Sequence, residues 1–224
     1  MEQLQRIKLL IGRESVEKLQ KAKVAIFGLG GVGSFVAESL ARSGIGELHI
    51  IDKDIIDITN INRQLYALHS TIGQKKVDVA KTRILDINPN AKVYDYCKNF
   101  NNENFDFSFS KMDYIVDAID DIDAKIELIK ASKQANVPII CAMGAGNKLD
   151  PTKFKVTDIS ETHTCPLAKI IRKKLNELDI HNVKVVFSTE KPIKKTTSTI
   201  ASCSFVPSVA GLIISSAVIK DLIK

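Results

Sequence analysis

The sequence predicts an α/β fold in which a mostly parallel sheet is covered by helices on both faces. Short apolar runs alternate with helical patterns along most of the 224 residues, which is typical of parallel strands joined by crossover helices. The apolar run at 24–27 leads directly into Gly28, Gly30, Gly31 and Gly33, and then into a helical pattern. Such a turn brings bare backbone amides and a helix N-terminus close to a phosphate, and it is typical of a Rossmann-like, doubly wound sheet.

The individual elements follow from the spacing of apolar residues. Val77, Ala80, Ile84 and Ile87 recur at steps of three and four, which predicts an amphipathic helix at 76–87 that ends before Pro89. Further helices are predicted at 33–43, 124–135 and 165–178, and residues 15–20 lead into the first strand. Strands are predicted at 24–27, 48–51, 93–97, 114–119, 137–141, 154–159 and 183–187, with a loop of asparagines and phenylalanines near 99–110.

A turn at Asp150-Pro151 divides the sequence into two parts. Residues 1–150 contain the glycine turn and are predicted to form a nucleotide-binding half. Residues 151–224 are predicted to be a C-terminal extension of strands and helices that completes the same domain, with a crossover loop at about 188–204. The segment 191–202, rich in lysine, threonine and serine, has little to bury and is predicted to be mobile.

The most apolar stretch of the sequence lies at 206–219. At roughly fourteen residues it is shorter than the ~20 that a helix needs to cross a bilayer, and Pro207 and Gly211 interrupt it. We therefore expect a buried C-terminal helix and no membrane partner. Its small residues would allow close packing on the sheet or on a partner subunit.

Composition limits the class of protein and of partner. With 45% hydrophobic and 26% charged residues, the chain resembles an ordinary globular protein. A formal net charge of +6 and a pI of about 9.0 favour a polyanionic partner. Four widely spaced cysteines and the absence of a signal-peptide pattern at Met1 lead us to expect a cytoplasmic location.

The predicted helix at 165–178 carries a basic face formed by Lys169, Arg172, Lys173 and Lys174. Such a run is most often a solvent-exposed face. The alternative is a surface that contacts RNA, and the sequence leaves both interpretations open.

Polar residues suited to a nucleotide gather after the second predicted strand. The candidates are Asp52, Asp54, Asn60, Asn62, Arg63, Gln64 and Lys76. Asp52 ends the strand, where an acid is expected to hold the ribose hydroxyls. Carboxamides and a guanidinium fork suit a triphosphate, whose charge needs fixed donors, and Lys76 adds a second cation. The alternatives are that Arg63 and Lys76 are solvated surface charges and that the glycine turn only connects a strand to a helix.

Several motifs together resemble a known enzyme superfamily. They are Gly28-Leu-Gly-Gly-Val-Gly, Asp52 with Asp54, Asn60-Ile-Asn-Arg-Gln, Lys76-Val77 and Asp117-Ala-Ile-Asp120-Asp121. In this order and spacing they resemble the adenylating superfamily of MoeB, ThiF and the ubiquitin-activating enzymes. Runs at 41–48, 60–69, 86–89, 143–151 and 205–211 are similar to its tRNA threonylcarbamoyladenosine dehydratase branch.

This resemblance implies ATP-dependent adenylation, with ATP and Mg²⁺ as cofactors and residues 1–150 as the adenylating half. The substrate implied for this branch is tRNA that carries threonylcarbamoyladenosine next to the anticodon. Its threonyl carboxylate would become an acyl-adenylate, and a nitrogen or oxygen of the same carbamoyl-threonine group would close a ring with net loss of water. A carboxylate and a triphosphate are both anions, so the site must neutralise charge while it aligns them.

The resemblance also implies roles for individual residues. The glycine-turn amides would hold phosphate oxygens, Arg63 and Lys76 would contact the triphosphate, and Asp52 would hold the ribose. Asp120 would be the Mg²⁺ ligand, with Asp121 beside it, because Mg²⁺ takes carboxylates next to phosphate oxygens. The alternative for this segment is to cap the following helix, a role that fits Asp121 and Asp123 better than Asp120.

The resemblance further implies a homodimer, in which an arginine from the N-terminal segment of one subunit reaches the ATP of the other. Arg6 is the better match for this arginine, and Arg13 is the second candidate. We expect no structural zinc, because the sequence lacks the Cys-x-x-Cys pairs that bind zinc in MoeB-like and ThiF-like relatives.

Relatives that pass acyl groups to sulfur carriers often use a thiol on the crossover loop. Cys203 and Cys165 lie in the matching half of this chain, and a chemical role for either would add a sulfur-donor protein as a partner. The alternative is that both cysteines are inert buried residues.

Two other functions remain open from the sequence. An activator of a ubiquitin-like sulfur carrier would consume ATP with that carrier and ignore tRNA. A dinucleotide-dependent oxidoreductase or a nucleotide sensor would need Asp52 and the glycines but not Asn60, Arg63 or Lys76, so those three residues argue against it.

Overall fold

The computed structural model describes residues 2–100, 105, 107–193 and 199–224. Within these residues seven α-helices and seven strands alternate. The helices are α1 (Gln5–Ile11), α2 (Arg13–Lys21), α3 (Gly33–Arg42), α4 (Lys76–Ile87), α5 (Ile122–Gln134), α6 (Pro166–Glu177) and α7 (Phe205–Leu222). The strands are β1 (Lys23–Phe27), β2 (Glu47–Ile51), β3 (Lys92–Tyr96), β4 (Tyr114–Asp117), β5 (Ile139–Ala142), β6 (Phe154–Asp158) and β7 (Lys184–Ser188).

All seven strands belong to one sheet, in the order β3-β2-β1-β4-β5-β7-β6. Every neighbouring pair is parallel except β6 and β7, which are antiparallel. The strands of residues 151–224 extend the sheet at one end, because β7 pairs with β5 and β6 forms the edge. The predicted α/β class, with a doubly wound, mostly parallel sheet, is confirmed.

The helices cover both faces of the sheet. Residues of β1 alternate between two cores: Ile26 packs with α3, α4 and α7, and Phe27 packs with α5 and α6. This alternation follows from the period of two along a strand, and it buries both faces of the central strands.

The C-terminal helix α7 packs against α3 through small residues. A Cβ on Gly211 would lie 2.5 Å from the carbonyl oxygen of Val32, so glycine allows the two helices to approach closely. Among the described residues, α7 is the one helix that is long and apolar enough to cross a membrane. Because it contacts α3 and four strands of the sheet, it is a core helix, as predicted.

Some element boundaries differ from the predictions. Helix α4 has the predicted bounds, but β4 ends at Asp117 instead of residue 119 because the chain there turns toward the glycine loop. Helix α1 was not predicted. Its Leu9 and Leu10 are more than four-fifths exposed, so it lacks the buried apolar stripe that makes a helix visible in a sequence.

The two predicted loops are described only in part. Near 99–110, Phe100, Phe105, Phe107 and Phe109 pack around Phe27, with ring centroids 5.2 to 6.0 Å from it, so these aromatic residues belong to the core. Residues 101–104 and 106 of this loop lie outside the described residues, as do 194–198 of the segment predicted to be mobile. That mobility stays a prediction.

Candidate active site

The glycine turn joins β1 to α3 at the carboxyl edge of the sheet. Gly28 has a φ of +90°, which L side chains rarely adopt, and a Cβ there would lie 2.6 Å from the carbonyl oxygen of Ala118. A Cβ on Gly33 would overlap the carbonyl oxygen of Gly28. Backbone contacts therefore require glycine at both positions, and they hold the turn against the end of β4.

Gly30 and Gly31 face the segment that follows β2. A Cβ on Gly30 would lie 3.9 Å from the side-chain amide of Gln64, and a Cβ on Gly31 would lie 3.4 Å from Cγ of Arg63. Gln64 is buried and Arg63 is half-buried. The structure thus places the predicted phosphate-binding turn beside the aliphatic part of the Arg63 side chain, while its Nη1 donates to the carbonyl oxygen of Thr59.

Asp52 follows β2 and lies beside the same turn. Its carboxylate accepts hydrogen bonds from the backbone N–H of Leu29 at 2.6 Å and of Asp54 at 2.8 Å. Burial raises the pKa of Asp52 above its ordinary value, although the nearby Lys76 ammonium acts in the opposite direction. The acid therefore lies where the sequence predicts a ribose-binding residue, and that role stays a prediction.

Lys76 begins α4, and its side chain is almost completely buried. Its Nζ donates to the carboxylate of Asp54 at 2.7 Å and lies 3.8 Å from that of Asp52. The three charged residues predicted for nucleotide binding thus form one cluster. The two carboxylates outnumber the single ammonium, so a triphosphate that bound Lys76 would have to share it with Asp54.

The segment Asn60–Gln64 is shaped by its own polar side chains. The Oδ1 of Asn60 accepts from the backbone N–H of Asp57 at 3.1 Å, which completes a capping box in a short helical turn. Asn62 donates to the carbonyl oxygen of Ser202 at 3.1 Å and accepts from Nη1 of Arg63 at 2.9 Å. The two carboxamides therefore fix the loop and the guanidinium, and their predicted contact with a triphosphate remains untested.

Three aspartates at the end of β4 have three different surroundings. Asp120 is exposed and has no ion pair or hydrogen-bonded partner among the described residues. Asp121 is the N-cap of α5 and accepts from the backbone N–H of Ala124 at 2.8 Å, which confirms the capping interpretation for this residue. Asp123 is not the cap, because it lies within the first turn of α5, where its carboxylate accepts from Nζ of Lys174 at 2.5 Å.

A fourth aspartate, Asp117 at the end of β4 itself, forms a buried ion pair that the sequence did not predict. Its Oδ2 accepts from Nζ of Lys125 at 2.7 Å, and both side chains are 0% exposed. Lys125 also donates to the carbonyl oxygen of Ala142, and the other oxygen of Asp117 accepts from the N–H of Ile119. The one signal in the sequence for this ion pair was a lysine on the apolar face of a predicted helix. The pair fastens β4, β5 and α5 directly beneath the loop that carries Asp120.

The two candidate thiols border the same buried lysine. Cys203 donates weakly to the carbonyl oxygen of Lys148 at 3.9 Å, and Sγ of Cys165 lies 3.3 Å from where a Cβ on Gly144 would be. Nζ of Lys148 donates to the carbonyl oxygen of Gly144 at 3.0 Å, and burial lowers the pKa of this lysine. Cys165 is buried and Cys203 is half-buried. These contacts are structural, and a chemical role for either thiol stays untested.

The N-terminal segment lies at the amino edge of the sheet, opposite the carboxyl edge that carries the glycine turn. Gln3 donates to the carbonyl oxygen of Ile87, and Leu4 packs on Gly44, just before β2 begins. Arg6 is exposed on α1, whereas Arg13 forms a surface ion pair with Glu17. Arg6 is therefore far from the glycine turn of its own chain, and its predicted role at the nucleotide of a partner subunit stays a prediction.

The described residues contain no group of three or more His, Cys, Asp and Glu side chains arranged to hold a metal ion.

Sequence comparison places this arrangement in a known family. The family model described as the ThiF family matches residues 2–224. The chain is similar to the tRNA threonylcarbamoyladenosine dehydratase of Bacillus subtilis (strain 168), with 46% identity across 100% of this chain and 96% of that protein.

Solved structures agree with this result over nearly the full length. The crystal structure of E. coli tRNA N6-threonylcarbamoyladenosine dehydratase, TcdA, in complex with AMP matches with a TM-score of 0.91 and 31% identity, covering 99% of this chain and 94% of that one. The complex of the same enzyme with ATP matches with a TM-score of 0.90 and 31% identity, covering 99% and 93%. The chain belongs to the ThiF family.

Proposed function

We propose that this chain is an ATP-dependent tRNA threonylcarbamoyladenosine dehydratase. One observation carries the proposal: the glycine turn, Asp52 and the side chain of Arg63 lie together at the carboxyl edge of a doubly wound sheet, where such sheets bind ligands. Near-complete coverage of relatives that bear this name supports the substrate. Residues 1–150 would act as the adenylating half, and residues 151–224 would complete the site with the crossover loop at about 188–204.

The first step joins the threonyl carboxylate of the modified nucleoside to ATP. A carboxylate oxygen attacks the α-phosphorus, the bond from that phosphorus to the bridging oxygen breaks, and pyrophosphate leaves. Arg63 suits this step because hydrogen bonds to Thr59 and Asn62 already orient its guanidinium, and the base of its side chain lies against Gly31 of the glycine turn. A charge that is oriented before the reaction stabilises the transition state without further reorganisation.

The second step closes the ring. A nitrogen or oxygen of the carbamoyl group attacks the activated carbonyl carbon, AMP leaves with the former carboxylate oxygen, and the product has lost the elements of water. The reacting groups belong to the same substrate, so the protein has only to hold them together and exclude water. No enzyme thiol is required, which agrees with the burial of Cys165.

Asp120 is the proposed ligand for Mg²⁺. Its carboxylate is exposed at the carboxyl end of β4, and a hard oxygen donor beside phosphate oxygens suits this ion. When bound, Mg²⁺ would neutralise charge on the triphosphate and on the departing pyrophosphate.

A homodimer with shared sites is the proposed assembly. Arg6 lies at the amino edge of the sheet, opposite its own glycine turn, and the neighbouring Leu9 and Leu10 are almost fully exposed. Exposed leucines beside a basic residue fit a contact between subunits, through which Arg6 would reach the partner's nucleotide. The proposed location is cytoplasmic.

The test is incubation of the purified protein with ATP, Mg²⁺ and tRNA that contains threonylcarbamoyladenosine, followed by mass spectrometry of the nucleosides. We expect this nucleoside to lose the mass of one water molecule, with AMP and pyrophosphate formed in equal amounts. Omission of ATP is the control. ATP consumption that requires a ubiquitin-like sulfur carrier, with no change in the tRNA, would instead favour the alternative activity.

A further inference from the structure

The net positive charge of this protein comes from its C-terminal part. Residues 1–150 contain twenty basic and twenty acidic residues, whereas residues 151–224 contain twelve basic and six acidic residues. The whole formal charge of +6 therefore comes from the part of the chain that the glycine turn, Asp52 and Arg63 do not occupy.

Part of this charge lies on the edge strand β6. Lys155 is exposed and stands opposite Phe187 in the antiparallel register of β6 and β7. Residues directly opposite each other in such a pair project from the same face, and Phe187 belongs to the core under α5 and α6. Lys155 therefore projects from the face of the sheet that α6 covers. The ring of His163 packs edge-on against Phe187, with centroids 5.3 Å apart, so it lies on this face too.

The remaining basic residues lie on α6 next to this strand. Lys169 and Lys173 are exposed and stand one helical turn apart, so their side chains lie on the same side of the helix. Arg172 is held by two hydrogen bonds from its Nη1 to Thr162, at 2.6 and 2.7 Å. A surface cavity of about 360 Å³ is lined by His163, Thr164, Cys165, Pro166, Lys169 and Arg172.

Few acids oppose these cations. Among the described residues neither Lys155 nor Lys169 forms an ion pair, and Lys173 pairs with Glu177 at 3.7 Å. Both members of that pair are mostly exposed, so the contact is weak and leaves Lys173 open to another anion. Lys174, which points toward α5, is neutralised by Asp123 and is not part of the surface.

The surface reaches the edge of the sheet where the reaction is proposed to occur. Phe187 is the penultimate residue of β7, and Cys165, which precedes α6, lies beside Gly144 just after the end of β5. The start of α6 is therefore at the carboxyl edge, and Lys169 and Lys173 follow along the helix away from it.

We propose that Lys155, Lys169, Arg172 and Lys173, here called the α6–β6 basic surface, bind the sugar–phosphate backbone of the substrate tRNA. This inference rests on the proposed function and deepens it: the modified nucleoside occupies the carboxyl edge while the adjoining stem lies along α6. Backbone contacts of this kind position an RNA without reading its sequence, and each contributes to the salt dependence of binding.

The experiment measures fluorescence anisotropy of labelled tRNA with the intact protein, without ATP, over a salt series. The variant is K155A/K169A/K173A, and the matched control is K92A/K98A/K111A, which removes three exposed lysines from the other half of the chain. We expect the first variant to bind tRNA roughly tenfold more weakly, with a salt slope shallower by about two. The control variant should bind like the unaltered protein.

Equal affinity and equal salt slope for the two variants would overturn the proposal, whether both bind normally or both bind weakly. Kinetics provide a second readout: the first variant should raise KM for tRNA while the KM for ATP and the kcat at saturating tRNA stay unchanged. Binding is measured without turnover, so the two proposals can fail separately. If the protein bound tRNA through this surface but never dehydrated it, the proposed function would be refuted and the proposed binding surface would stand.

Discussion

The buried end of β4 and the exposed loop that follows it both carry an aspartate, but the two aspartates have opposite surroundings. Asp117 is completely buried against Lys125, whereas Asp120, three residues later, is exposed and has no partner among the described residues. A buried carboxylate needs its partner to remain charged, so it serves the fold. An exposed carboxylate at a strand end is available to a ligand. Burial and pairing, more than residue type, therefore distinguish a structural aspartate from one that is free to bind a ligand.

The largest expected effect is a loss of turnover when Asp120, in the exposed loop, or Arg63 is replaced. We expect Asp120→Ala, and likewise Arg63→Ala, to lower dehydration at least roughly 10³-fold, because each removes charge stabilisation worth several kcal/mol. Thermal stability should stay unchanged, since neither side chain is fully buried. The measurement is nucleoside mass spectrometry combined with a melting curve. The matched control is Asp123→Ala, an exposed acid on the next helix, and undiminished turnover in the Asp120 variant would remove the metal assignment.

The next effect is on stability at the buried end of the strand. We expect Lys125→Met to cost about 3–5 kcal/mol of unfolding free energy, because it leaves the Asp117 carboxylate buried without a counter-charge. Urea unfolding followed by circular dichroism measures the loss. The double variant Asp117→Asn with Lys125→Met removes both charges and should recover part of the stability. A single variant within about 0.5 kcal/mol of the parent would contradict this account.

A smaller effect is expected at Asp121, which is exposed like Asp120 but, unlike Asp120, accepts a hydrogen bond within the described part of the chain. We expect Asp121→Ala to cost about 1 kcal/mol, because it removes the N-cap of α5. Asp121→Ser keeps a capping oxygen and should restore most of this loss, as measured by urea unfolding. Turnover separates the two roles of the residue: if the serine variant is stable but inactive, Asp121 contacts the nucleotide as well as the helix.

The smallest expected effect concerns Glu38 on α3, whose carboxylate is only partly buried. Burial alone would raise its pKa, but hydrogen bonds from Arg83 and Arg42 outweigh burial and hold the pKa below its ordinary value. A lowered folded pKa gives stability that is present above the unfolded pKa, about 4.5, and is lost as pH falls through the folded value.

We therefore expect Glu38→Gln to lose less than about 1 kcal/mol at neutral pH, since both arginines are well exposed. Below about pH 4.5 the difference between this variant and the parent should shrink, because the parent's carboxylate becomes protonated. Unfolding curves at several pH values measure this. A difference that grows on acidification would show that the sign is wrong.

Much of the fold was predictable because its signals are local. Apolar runs and the period of two or 3.6 residues predict the seven strands and most of the helices, and helix α4 has the predicted bounds. Helix α1 escaped prediction because its leucines are exposed, and the end of β4 was misplaced because a contact with the glycine turn ends it. Among the site residues, Gly28, Gly33, Asp52 and Arg63 lie together as their spacing indicated.

The α/β class, the glycine turn and the candidate charged residues can be read from the order of residues, because these features depend on neighbours along the chain. The pairing of the charges depends on the three-dimensional fold, which brings together Asp117 and Lys125, Lys76 and Asp54, and Asp123 and Lys174. Each pair joins separate elements, and the free energy of a charge depends on its burial and on the nearest opposite charge in space. Neither the burial of a charge nor its distance to the nearest opposite charge can be read from the sequence alone.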